Sequence, residues 1–90
     1  MVSKATLQQR SSRHIVRSSK VLGGEPTVQG TRVPVRAIVL THRLYPDIAR
    51  LRVAFPMLSS EDIVEALAFY HANQEEIERY IAENAMNDEG

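Results

Sequence analysis

Cysteine is missing from this 90-residue sequence, which removes disulfides, thiolate nucleophiles and thiolate metal sites from consideration. No apolar run approaches the ~18 residues of a membrane span, and the start lacks the apolar core of a signal peptide. A soluble cytoplasmic protein is expected, with no membrane involved. The histidines His14, His42 and His71 lie too far apart for any His-x-x-x-His or HExxH arrangement, so no metal is expected. Nothing resembling G-x-S-x-G presents a serine on a sharp turn, and no motif supplies a catalytic geometry. No cofactor is expected, and catalysis gives way to binding as the class of function.

Charge is scarce in one sign at a time. Net charge is zero, yet residues 1–52 hold ten basic residues against Glu25 and Asp47, while residues 53–90 hold Arg79 against nine acids. Such a division between halves points either to an anionic partner for one end or to neutralisation within the fold or across a dimer. A chain this short buries only about 60–65% of its unfolded surface, so pairing with a second copy is a useful source of core.

Glycine and proline are also few, and they cluster. Three of the four glycines and two of the four prolines fall in Gly23-Gly24-Glu25-Pro26-Thr27-Val28-Gln29-Gly30-Thr31-Arg32-Val33-Pro34-Val35. Gly23, Gly24 and Gly30 are suited to positive φ, and Pro34 is suited to a helix entrance. A phosphate-binding loop does not fit: five residues separate Gly24 from Gly30, no lysine follows, and Pro34 delays the helix. The stretch is a hinge between a polar N-terminal part and a helical body.

Residues 1–12 have no helical or strand period and read as a flexible, basic N-terminal arm. The remainder, 13–90, reads as one domain. His14-Ile15-Val16-Arg17 is β-prone, with Thr27-Val28 and Arg32-Val33 as partners in a short hairpin within 13–34. A lone hairpin is marginal in water, so it must lean on the helices or on a twin subunit. A first helix is expected over Val35–His42, with Val35, Ile38, Val39 and His42 on its buried face. A second runs from Pro46 to Ala54, with Asp47 in its first turn and Ile48, Leu51 and Phe55 apolar; Arg52 flanks that face. The third starts after Ser59, whose hydroxyl and Asp62 form a capping box with Leu58 and Ile63 as the staple. Its expected stripe is Ile63, Ala66, Leu67 and Tyr70. A fourth, acidic helix over 74–86 restarts at Asn73 or continues the third, with Glu75 and Arg79 as an i, i+4 pair and 87–90 fraying.

The hinge motif, together with Phe55-Pro56-Met57-Leu58-Ser59-Ser60-Glu61-Asp62-Ile63 and Ala66-Leu67-Ala68-Phe69-Tyr70 leading to Glu75-Glu76-Ile77, resembles the domain of unknown function 433 family over roughly His14 to Ile81. It departs from that pattern at Thr41-His42-Arg43-Leu44-Tyr45, which has no glycine. The resemblance implies a mainly α, homeodomain-like helix-turn-helix bundle of four helices with a short N-terminal β-hairpin. It also implies an antitoxin role in a type II toxin–antitoxin pair: a dimeric, operator-binding repressor opposite a cognate PIN-like ribonuclease toxin.

The residues themselves qualify how such a protein docks. The start of the third helix, in the recognition position, carries Ser60, Glu61, Asp62 and then Glu65, and carboxylates are repelled by phosphates. Contacts to DNA are therefore expected from Arg13, Arg17, Arg32, Arg36, Arg43 and Arg50, each of which is otherwise an ordinary surface charge. Ile77, Tyr80, Ile81 and Ala85 share one face of the fourth helix, either as core or as a partner-binding stripe. The alternative to a DNA-binding antitoxin is a protein-interaction module of the same fold without DNA contact.

Overall fold

The hinge forms as its residue types require. In the computed structural model, which describes residues 14–89, Gly23, Gly24 and Gly30 all have positive φ, at 63°, 94° and 81°. Leu22 joins them at 50°, so a left-handed turn runs from Leu22 through Gly24 and reverses the chain. Across this turn strand β1 (Ile15–Val16) pairs antiparallel with strand β2 (Thr27–Val28), in the register Ile15 with Val28 and Val16 with Thr27.

Gly30 makes a second, tighter reversal. The Thr31 hydroxyl donates to the Val28 carbonyl at 2.8 Å and accepts from the Val33 amide at 3.0 Å. The Val28 amide then donates to the Val33 carbonyl at 2.9 Å, and Thr27 bridges Pro34. Residues 33–34 thus pair with β2 rather than with β1, so β2 is flanked on both sides. This central place removes Thr27 and Val28 from solvent.

Helix α1 spans Val35–Leu44, two residues beyond the expected end, with extended Pro34 as its N-cap. Val35, Ile38 and Val39 are buried as the periodicity demands, while His42 is half-buried. Helix α2 covers Ile48–Ala54 and starts later than expected. Asp47 is extended (φ −152°) and is the N-cap, its carboxylate accepting from the Ala49 amide at 3.2 Å. Pro46 therefore lies before the helix rather than at its first position. The side-chain cap satisfies an amide that an earlier start would have left to water.

Helix α3 (Ser60–Ala72) begins with the capping box in full. The Ser59 hydroxyl accepts from the Asp62 amide, and Asp62 accepts from the Ser59 amide, both at 3.0 Å. Leu58 and Ile63 are both buried in the core. The buried stripe is Ile63, Ala66 and Phe69; Leu67 and Tyr70, expected to be fully inside, are only half-buried. Helix α4 (Gln74–Glu89) is a separate helix, set off by Asn73 at φ −138°, ψ 42°. The Asn73 side-chain amide donates back to the Phe69 carbonyl at 2.9 Å, closing the end of α3. The backbone stays helical through Glu89, past the point where fraying is expected.

The core lies where α1, α3 and α4 meet, with α2 and the hairpin closing its sides. Ile38, Leu51, Leu58, Ile63 and Ile77 are its largest fully buried side chains, one or more from each helical segment and from the turn before α3. The result is mainly α, four helices with a two-stranded hairpin at the N-terminal side. Among the described residues no helix is long and apolar enough to cross a membrane.

Candidate functional site

The order α2, turn, α3 is that of a helix-turn-helix, so the first surface of interest is the outer face of α3. Its exposed residues are Ser60, Glu61, Val64, Ala68, His71 and Ala72. None is a lysine or arginine. A face of this kind offers a carboxylate and small apolar groups where duplex DNA would ask for cations.

The arginines expected to meet DNA are distributed unevenly. Arg17 leaves β1 and reaches Glu76 at 2.7 Å, with its guanidinium 5.2 Å from the centre of the Phe69 ring. Arg43, near the end of α1, pairs with Glu78 and lies over the Tyr70 ring. Glu78 also accepts from the Tyr70 hydroxyl, which is the first cause holding its carboxyl below the ordinary range; Arg43 is the second. The same contact with Glu78 raises the Arg43 guanidinium further.

Arg36 is the deepest of the set. Its Nε donates to Glu25 Oε2 at 2.6 Å and its Nη2 to Oε1 at 3.2 Å, a two-pronged pair. The Glu25 side chain is 5% exposed and that of Arg36 18%. The pair ties the hinge to α1, so Arg36 acts as a structural cation whose donors are already engaged. Sequence reasoning passed over Glu25. The available signal was its isolation, as the first acid in the chain and one of only two before residue 53.

Arg32 and Arg50 are exposed and form no ion pair among the described residues; the Arg50 guanidinium stacks 4.6 Å from the Tyr45 ring centre. Arg13 lies outside the described residues, as does the 1–12 arm. Of the six arginines, then, three are held by acids of the same chain.

A third contact links the two halves. His14 Nδ1 meets Asp62 Oδ1 at 2.8 Å, so one carboxylate serves both the cap of α3 and the residue preceding β1. The Ser59 backbone amide and then His14 hold the Asp62 carboxyl below its usual range. With Arg17–Glu76 and Arg43–Glu78, the basic half is fastened along the acidic half. Neutralisation within the fold accounts for part of the charge division, through two charge pairs and the His14 contact.

The stripe on α4 is divided. Ile77 is fully buried, which corrects its assignment as a partner contact: it has no surface to offer. Tyr80 and Ile81 are half-buried against the core, and Ala85 is exposed. Arg79 lies over the Tyr80 ring and pairs with Glu83 at 3.8 Å, not with Glu75 as helical spacing also allowed. The face of α4 free for contact is therefore its outer part, with Ala82, Glu83 and Ala85.

Comparison with known proteins agrees with this architecture. The family model described as "Protein of unknown function (DUF433)" matches residues 15–70. An uncharacterized protein, y4eO, of Sinorhizobium fredii (strain NBRC 101917 / NGR234) is 39% identical over 64 residues, which is 70% of this chain and 29% of that protein. The chain thus spans under a third of that relative's length. The crystal structure of a DUF433 member protein from Anabaena variabilis superposes with a TM-score of 0.72 at 30% identity, covering 90% of this chain and 81% of the other.

Proposed function

Since the chain belongs to the DUF433 family of proteins of unknown function, we propose its role from its surface: the antitoxin of a type II toxin–antitoxin pair, a cytoplasmic homodimer that neutralises a PIN-type ribonuclease and autoregulates its operon. The observation that carries this reading is the outer face of α3, which exposes Val64 and Ala68 and no cation, and so suits a protein better than a phosphate backbone. The outer part of α4, with Glu83 and Ala85 exposed and Tyr80 and Ile81 half-buried, is the second surface available to the nuclease. Exposed Glu75 of the same helix, with Glu83 shared with Arg79, suits a basic RNA-binding surface, steering association and covering the substrate path. Operator contact falls to Arg32 and Arg50, with Arg13 of the N-terminal segment.

One observation favours a second reading, a protein-interaction module without DNA contact. Arg17, Arg36 and Arg43 are each engaged by an acid of the same chain. Salt dependence separates the two. A DNA-binding dimer using Arg32 and Arg50 from each protomer should lose affinity with salt at about 0.9 log units per phosphate contact, and Arg32→Ala with Arg50→Ala should flatten that slope. The antitoxin role is tested by co-purification with the product of the neighbouring reading frame and by inhibition of its ribonuclease activity. A neighbour that neither binds nor is inhibited removes the antitoxin reading.

A further inference from the structure

The segment from the end of α1 to the turn before α3 exposes more large apolar surface than any other part of the described chain. Leu44 is 72% exposed, Val53 70%, Met57 59% and Tyr45 45%. Single exposed aliphatics need no explanation, but these are not scattered. Val53 points directly away from buried Leu51 and half-buried Ile48 on the wheel of α2, and Arg50 is its i−3 neighbour on the same outer side. The Arg50 guanidinium rests on Tyr45, which adjoins Leu44. At the other end Arg52 Nε donates to the carbonyl of Leu58, the residue after Met57, at 3.4 Å. This strip, residues 44–57, thus combines exposed aliphatic side chains with two exposed cations.

Its charge is uncompensated. Between Leu44 and Ser60 the sole acid is Asp47, whose carboxylate caps α2 through the Ala49 amide. Arg50 and Arg52 form no ion pair among the described residues, in contrast to Arg17, Arg36 and Arg43. We infer that this strip is a docking surface for an acidic amphipathic helix of another protein, whose apolar stripe covers Val53, Met57 and Leu44 while its flanking carboxylates meet Arg50 and Arg52. Phosphates account for Arg50 alone, the residue shared with the operator contact proposed above, and do nothing for three aliphatic side chains that are more than half exposed. Operator DNA and the acidic helix therefore compete for Arg50. A second copy's α4 fits less well too, since Ile77 is buried in its own core and Tyr80 and Ile81 are half-buried against it. The inference goes beyond the antitoxin reading and holds for an acidic helix from any protein.

The test uses the full chain and labelled synthetic peptides of roughly fifteen residues, long enough to form an amphipathic helix. One peptide carries Leu and Phe on one face with Asp and Glu beside them, and a second carries Lys in place of every acid. Fluorescence anisotropy should show saturable binding of the acidic peptide and at least about tenfold weaker binding of the basic one. Amide chemical-shift changes should concentrate in residues 44–57. Val53→Glu and Arg50→Glu should each weaken the acidic peptide about tenfold. Met57→Glu, which lies outside every helix, serves the same purpose if Val53→Glu perturbs α2. Equal binding of both peptides, shifts that map elsewhere, or variants that bind unchanged would overturn the inference. So would shifts at Leu44, Val53 and Met57 that duplex DNA or phosphatidylserine vesicles produce and the acidic peptide does not.

Discussion

Glu25 and Arg36 show how a single side chain can be spent on the fold. The carboxylate is almost wholly buried and meets the guanidinium with both oxygens. Removing one partner leaves an uncompensated charge in a dry place, which costs several kcal/mol. Glu25→Ala should therefore lower stability by about 3 kcal/mol in urea unfolding, and Arg36→Ala by a similar amount. The double replacement Glu25→Leu with Arg36→Met should cost less than either single change. Arg36→Ala should also leave any DNA affinity of the folded fraction intact. Gly30 is the other residue with a sharp requirement. A Cβ built there meets nothing within 4 Å, so the constraint is its φ of 81° rather than space. Gly30→Asn should be tolerated and Gly30→Ala should cost about 1 kcal/mol. Gly30→Val, being β-branched, should cost more, as read from thermal midpoints.

At the level of the element, the start of α3 and the body of α4 make separate demands. Ser59→Ala should cost about 1 kcal/mol through the lost cap. Asp62 carries an additional pH signature. Its carboxyl is held below the ordinary value of 3.8 in the fold, by the Ser59 amide first and His14 second. Its contribution is therefore full above that ordinary value and disappears as pH falls through the depressed folded one. Asp62→Asn should flatten the acid limb of a stability-against-pH curve. For α4, Ile77 decides the outcome. A chain ending after Asn73 loses a wholly buried side chain and should lose cooperative unfolding, whereas one ending after Ile81 should keep its helical circular dichroism. Ribonuclease inhibition lost in that longer fragment would assign the outer turns of α4 to the partner.

These elements also mark what the sequence disclosed. Ser59, Asp62, Leu58 and Ile63 announced the start of α3 because capping is local and spelled out within six residues. Gly30 and Pro34 announced the hinge for the same reason. Phe69 was not legible, since α3 has apolar residues on more than one side and the choice falls to what packs there: Arg17, from 52 residues earlier, lies over its ring. The engagement of Arg17, Arg36 and Arg43 was equally hidden, because spacing says nothing of which acid a distant chain segment will present. The candidate site was legible as a list of cations, and the tertiary pairs thinned that list.

For the whole molecule, the halves that differ in charge are fastened to each other through His14–Asp62, Arg17–Glu76 and Arg43–Glu78. All three pairs are at least partly solvated, so each contributes modestly and is screened by salt. The apolar core remains the main source of stability, and a chain of this size gains from a second copy. Sedimentation equilibrium should therefore give twice the 10.1 kDa chain mass, and a persistent single-chain mass would remove the dimer from the proposed function.

Asp62 couples the residue before β1 to the first turn of α3. The carboxylate that closes the first turn of α3 also seats His14, the residue from which the basic N-terminal segment departs. A ligand that draws His14 away must release one of the hydrogen bonds held by the carboxylate that closes that turn, and a ligand that locks the turn makes His14 harder to move. Linkage requires the two effects to be equal in free energy, so His14 and the first turn of α3 are coupled through one side chain. Amide exchange at Asp62 and Ile63 that quickens in His14→Ala would measure this coupling directly.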